Sequence, residues 1–190
     1  MPFFSPLTRQ PKNMAIINAA IIKVSTKISR LFYCRINNEV QRFNGKTLKE
    51  LQAHSAADSQ TGSIGDIEVA NADGTIFEAV EVKHDIPITV ALIDSAKQKI
   101  RGSQVERYYI LSTYKDHNLS DELITAADQV EKLLGCQMII NGVIPSIRYY
   151  LRLLTNPGKV IPEYVAMLVN DGAISFEHRD VWNRITTGNT

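Results

Sequence analysis

Between Gly65 and Lys83 the chain carries the stretch that most narrows its choice of fold. Ile67 and Val69 alternate with Asp66 and Glu68, a period of two that sends successive side chains to opposite faces of a strand. Asn71-Ala72-Asp73-Gly74 supplies an Asp-Gly turn, and Thr75 to Lys83 resumes in β-branched and aromatic residues. This reads as a β-hairpin.

Helical patterns surround it. Ile17, Ala20, Ile21, Val24, Ile28 and Leu31 recur at helical spacing, with Asn18, Lys23, Lys27 and Arg30 between them, which predicts an amphipathic helix over Asn13 to Phe32. Thr47 reads as the cap of a second helix running to His54, and Ser55 to Ser63 as a small, polar loop. After the hairpin come a helix from Thr89 to Ile100, a buried strand from Arg107 to Thr113, a helix capped by Ser120, and a short strand from Cys136 to Ile140. Further helices are expected over Ser146 to Leu154, Glu163 to Val169 and Phe176 to Ile185, with breaks at Asn156-Pro157-Gly158 and Asn170-Asp171-Gly172. The order predicts an α/β domain, a mixed central sheet with helices on both faces. With 190 residues, 44% of them hydrophobic, and no repeat or linker, a single domain over 1–190 is expected. Its core spans about residues 47–141, between a basic helical segment (1–38) and a helical C-terminal part (142–190).

Charge and cysteine use limit the class. The net charge is +1, yet the first 38 positions hold six basic residues and no acidic one. Arg9 and Lys12 in that segment are candidate phosphate contacts; a wet helix face is the competing reading for its lysines. Cys34 and Cys136 form no metal-ligand cluster and no disulfide framework, which points to a reducing cytoplasm. No apolar run approaches the roughly 20 residues that a membrane span needs, and Met1-Pro2-Phe3-Phe4 lacks the charged start of a secretory signal.

The chemistry concentrates in Asp66 and in Glu81-Val82-Lys83 at the end of the hairpin's second strand. Side chains at i and i+2 share a face, so Glu81 and Lys83 point one way while Val80 and Val82 enter packing. Pairing through the Asp73-Gly74 turn would bring Asp66 beside them. Two carboxylates with one lysine leave negative charge uncompensated, and a divalent cation supplies what is missing. Oxygen-only ligation suits Mg²⁺, which stabilises charge on a phosphodiester and activates water, with Lys83 orienting that water. An acid-x-Lys triplet alone carries little, since about one is expected by chance in such a composition. Its context, an upstream Asp on a paired strand followed by a helix and a strand, raises it.

Asp66 with Glu81-Val82-Lys83, on a hairpin leading into a helix and the strand Tyr108 to Thr113, resembles the PD-(D/E)XK nuclease superfamily. The wording of Gly65 to Val69 and Phe77 to His84 is most similar to type II restriction endonucleases. The resemblance covers Leu48 to Thr113. It implies a restriction-endonuclease-like fold in which Asp66, Glu81 and the Val82 carbonyl ligate Mg²⁺, with Mn²⁺ able to substitute, and Lys83 serves the water. Gly65 stands where the family usually has Pro. A further glutamate on the first core helix is assigned to Glu50 in preference to Glu39. The spacing Gln104-x-x-x-Tyr108 resembles an element of exonuclease-like relatives, but Tyr108 reads as the start of a strand and is set aside.

The function expected from this is Mg²⁺-dependent, sequence-specific cleavage of double-stranded DNA in a prokaryotic cytoplasm, by a homodimer if the site is a palindrome. At 190 residues the chain is small for such an enzyme, so a fragment or a minimal member is expected. Lys97, Lys99 and Arg101 on the following helix are candidate DNA contacts, or a plain wet face. Glu68, on the face of Asp66, is expected to be solvated, with a share in metal binding as the alternative; Glu78 is expected to be solvated, His84 to be structural, and Tyr149, Tyr150, Arg148 and Arg152 to serve either DNA or packing. Two alternatives stand beside this reading: a catalytically silent DNA-binding or assembly module with the same fold, and a repair or junction-resolving nuclease.

Overall fold

The structure, a computed structural model, describes residues 29, 31–49, 63–115, 119–170 and 176–187. Helix α1 covers 31–39, followed by a 3-10 turn at Gln41–Phe43. The strands are β1 (Thr47–Leu48), β2 (Ile67–Ala70), β3 (Ile76–Lys83), β4 (Val105–Ser112) and β5 (Gln137–Gly142). Helices α2 (Val90–Ile100), α3 (Asp121–Leu134), α4 (Val143–Leu153), α5 (Val160–Asn170) and α6 (Phe176–Thr187) complete it. The five strands form one sheet in chain order. β1, β2 and β3 pair antiparallel, and β3, β4 and β5 pair parallel, so the sheet is mixed.

Local chemistry explains the element ends. Asp73 closes the β2–β3 turn by accepting from the Thr75 amide at 3.0 Å, while Gly74 takes the left-handed φ of 87° that the turn demands. Thr89 and Ser120 cap α2 and α3 by accepting from the amides of Leu92 and Leu123. Gly135, at φ 69°, ends α3 with its amide on the Glu131 carbonyl.

Two cores lie on the two faces of the sheet. On one, Tyr33 and Ile36 of α1 meet Val69, Val80, Tyr109 and Leu111, with Ile147 and Tyr150 of α4 and Tyr164 and Leu168 of α5. On the other, Ile93, Ala96 and Ile100 of α2 and Leu123, Ala127 and Val130 of α3 cover Ala79, Tyr108 and Ile110. Each fully buried aliphatic side chain contributes about 1.5–3 kcal/mol. The expected α/β class with a flanked mixed sheet is the observed one. Among the described residues no helix is long and apolar enough to cross a membrane.

Several expectations are corrected. The first helix runs on to residue 39, because Tyr33 and Ile36, 1% and 0% exposed, continue its buried face. Most of its predicted span, together with Arg9 and Lys12, lies outside the described residues. Thr47 does not start a helix: Thr47 and Leu48 pair with Ala70 and Val69, and the Lys49 amide continues to the Glu68 carbonyl at 2.9 Å. Cross-strand pairing outweighs the local capping signal there. The remainder of that predicted helix, with Glu50, lies outside the described residues.

Candidate active site at the end of the third strand

The β2–β3 register pairs Ile67 with Val80, and Asp66 immediately precedes β2 at that end of the pair. Asp66 Oδ2 accepts from the Val82 amide at 2.7 Å, which fixes the carboxylate against the Glu81-Val82-Lys83 segment. Glu81 and Lys83 share a face, as expected from strand alternation, and form an ion pair. Val80 is buried and Val82 packs against the core on the opposite side.

Glu81 is 8% exposed and gathers more partners than the triplet provides. Lys99 reaches it from α2, its Nζ 3.0 Å from both carboxylate oxygens. The Tyr108 hydroxyl, on β4, donates to Oε2 at 2.5 Å. Burial alone would raise the Glu81 carboxyl, but the hydrogen bonds from Lys83, Tyr108 and Lys99 outweigh it and hold the group below the usual carboxylate range. Glu81 is therefore an anion at neutral pH, which is the form a metal or a bound proton donor requires.

Glu68 corrects another expectation. It is 8% exposed rather than solvated, and it ties down the approach to Asp66. One oxygen accepts from Ser63 Oγ at 2.9 Å and from the Ile64 amide at 2.6 Å, and the other accepts from Lys49 at 2.9 Å. Burial pushes Glu68 upward, yet these bonds win and its carboxyl lies low. Gly65 sits inside this knot. A Cβ there would stand 2.9 Å from the Val80 carbonyl oxygen and 3.1 Å from its nitrogen. Backbone approaches β3 at this point as only glycine permits.

Glu78 points away from Glu81, as alternation requires, but it is wholly buried rather than exposed. The register shifts where Ala70 pairs with Ile76 after Val69 pairs with Glu78, so Phe77 is an inserted residue and Phe77 and Glu78 both turn to the α1 side. There Glu78 accepts from Tyr33 and from Arg42 at 2.9 Å. Its carboxyl lies above the usual range, because burial exceeds the help of Arg42 and Tyr33. This cluster lies on the face opposite the candidate site.

The other predicted residues divide accordingly. Lys97 is half-buried on α2, and Arg101 is exposed at the helix's C-terminal end. His84 rests on Thr113, whose hydroxyl lies 3.2 Å from Nδ1, and this fits a structural role at the strand exit. Tyr150 is 5% exposed and packs in the core, while Tyr149 is 58% exposed. Tyr108, set aside in the sequence despite its spacing from Gln104, joins the site, and Lys99, expected as a DNA contact or a wet-face residue, is a partner of Glu81.

Asp66 and Glu81 offer two carboxylates, with oxygen donors alone. Among the described residues no group of three or more His, Cys, Asp or Glu side chains gathers. Mg²⁺ commonly takes one or two carboxylates and fills its octahedron with waters and phosphate oxygens, so this donor set fits it. No protein-family model matches the chain, and no curated protein matches it.

Proposed function

We propose that the chain is a Mg²⁺-dependent endonuclease of the PD-(D/E)XK type, acting on double-stranded DNA in the manner of a type II restriction endonuclease. The observation that carries this reading is the Asp66 carboxylate bound to the Val82 amide, next to Glu81, with Lys83 and Lys99 on the Glu81 carboxylate. The pair lies toward the carboxyl ends of three parallel strands, where Lys83, Ser112 and Gly142 stand in register. Open α/β sheets bind ligands beyond those ends.

Asp66, Glu81 and the carbonyl of Val82 would hold the ion, whose bound form lowers the pKa of water and offsets charge on the phosphodiester. The chain's own contributions are positional. Val82 N–H fixes Asp66, Tyr108 fixes Glu81, and Lys83 donates hydrogen bonds to the attacking water or to the phosphate oxygen that gains charge.

A second reading, a nuclease-like module without activity, draws on one observation: Lys83 and Lys99 already balance the Glu81 charge. Supercoiled plasmid incubated with Mg²⁺ and parent, Asp66→Ala or Lys83→Ala protein separates the two. The nuclease reading expects discrete fragments from the parent and a loss of about 10²–10⁴ in rate for Lys83→Ala. Equal inertness of all three favours the module, and preference for a four-way junction over linear duplex favours a resolving nuclease. A palindromic site would require a two-fold dimer, which sedimentation on duplex DNA reports.

A further inference from the structure

Two ammonium groups and one phenol converge on a single carboxylate. Lys99 bridges both oxygens of Glu81 at 3.0 Å, Lys83 pairs with Oε1, and Tyr108 donates to Oε2. An ionised carboxylate presents about four lone-pair positions, so these donors use most of its capacity. A divalent ion bound at Glu81 competes for the same lone pairs and meets two positive charges already there.

The two lysines are not equivalent. Lys83 belongs to the strand that carries Glu81, its side chain 26% exposed, and lies two residues from the carboxylate. Lys99 comes from α2, is 44% exposed, and sits on a flexible four-carbon stem that reaches solvent without disturbing the core. Ala96 and Ile100, buried beside it on α2, keep its backbone over the site. A withdrawn Lys99 ammonium therefore stays within reach of an anionic group arriving at Glu81.

We infer that Lys99 is an internal cation that holds Glu81 in place of a divalent ion and hands the carboxylate over when the ion binds, turning its own charge to the incoming phosphate. The inference rests on reading Asp66 and Glu81 as a metal pair. It makes Lys99 a regulator of metal affinity, beyond a phosphate contact on a wet helix face.

Calorimetric titration of Mn²⁺ into the full chain without DNA tests it. Lys99→Gln should bind Mn²⁺ about threefold to tenfold more tightly than the parent, the scale of a partly exposed ion pair. Lys99→Arg, which keeps the charge, should stay near the parent. Lys97→Gln removes the same charge from the same helix and should shift affinity by less than about twofold. Unchanged or weaker binding by a folded Lys99→Gln overturns the inference while leaving the metal pair standing, as does equal tightening by Lys97→Gln or Lys99→Arg. Binding by Lys99→Gln but not by the parent supports it. Absence of binding in both removes the metal pair itself, and the inference with it.

Discussion

The hydroxyl of Tyr108 stands 2.5 Å from Oε2 of Glu81, joining the centre of β4 to the end of β3. The Tyr108 hydroxyl also lies 3.1 Å from the Ile64 carbonyl oxygen, so one side chain touches the metal-ligand candidate and the loop that leads to Asp66. Tyr108 is fully buried, and its phenol is held far above its usual pKa by burial and by the Glu81 charge.

Tyr108→Phe keeps the ring and deletes the donor. The expected cost is about 1–2 kcal/mol, the worth of a hydrogen bond to a charged group, read from urea unfolding. The Glu81 carboxyl should titrate higher than in the parent, followed by carboxyl-carbon NMR. An unchanged titration would mean that Lys83 and Lys99 alone set its charge.

Gly65→Ala places a methyl group against the Val80 backbone, which has no flexible end to yield. The chain must shift, at about 1–3 kcal/mol, and Asp66 is the next residue along it. A lower melting temperature together with weaker Mn²⁺ binding is expected. Loss of stability with unaltered Mn²⁺ binding would separate the glycine from the site.

Acid stability follows from the buried carboxylates. Glu68 and Glu81 lie below their ordinary value of 4.5 in the folded chain, so their contribution is complete above that pH and is lost as pH falls through the lowered values. Glu78 runs the other way: raised by burial, it favours folding below its ordinary value and loses that contribution as pH rises through the raised one. The urea midpoint should fall with acidification below pH 4.5, less steeply in Glu68→Gln, whereas Glu78→Gln should lose the gain in stability that acidification toward pH 4.5 gives the parent. Identical slopes in all three proteins would remove these groups from the acid transition.

Much of the fold was legible before the structure. The hairpin through Asp73-Gly74, the helix after Thr89 and the helix capped by Ser120 all appear where local pattern placed them. Thr47 was misread because a capping residue and a β-branched edge residue are the same residue, and only β2 decides between them. Glu78 was misread because alternation predicts the face a side chain takes, whereas its burial depends on α1 and Arg42.

Periodicity, turn chemistry and caps act between neighbours in the chain, so the amino-acid order by itself determined the hairpin, the helices capped by Thr89 and Ser120, and the shared face of Glu81 and Lys83. The company of Glu81 was decided only by tertiary packing: Lys99 and Tyr108 lie 18 and 27 residues away. The charge state of a buried group depends on which distant segments desolvate it and which donate to it. That balance exists only once α2 and β4 have closed over the strand.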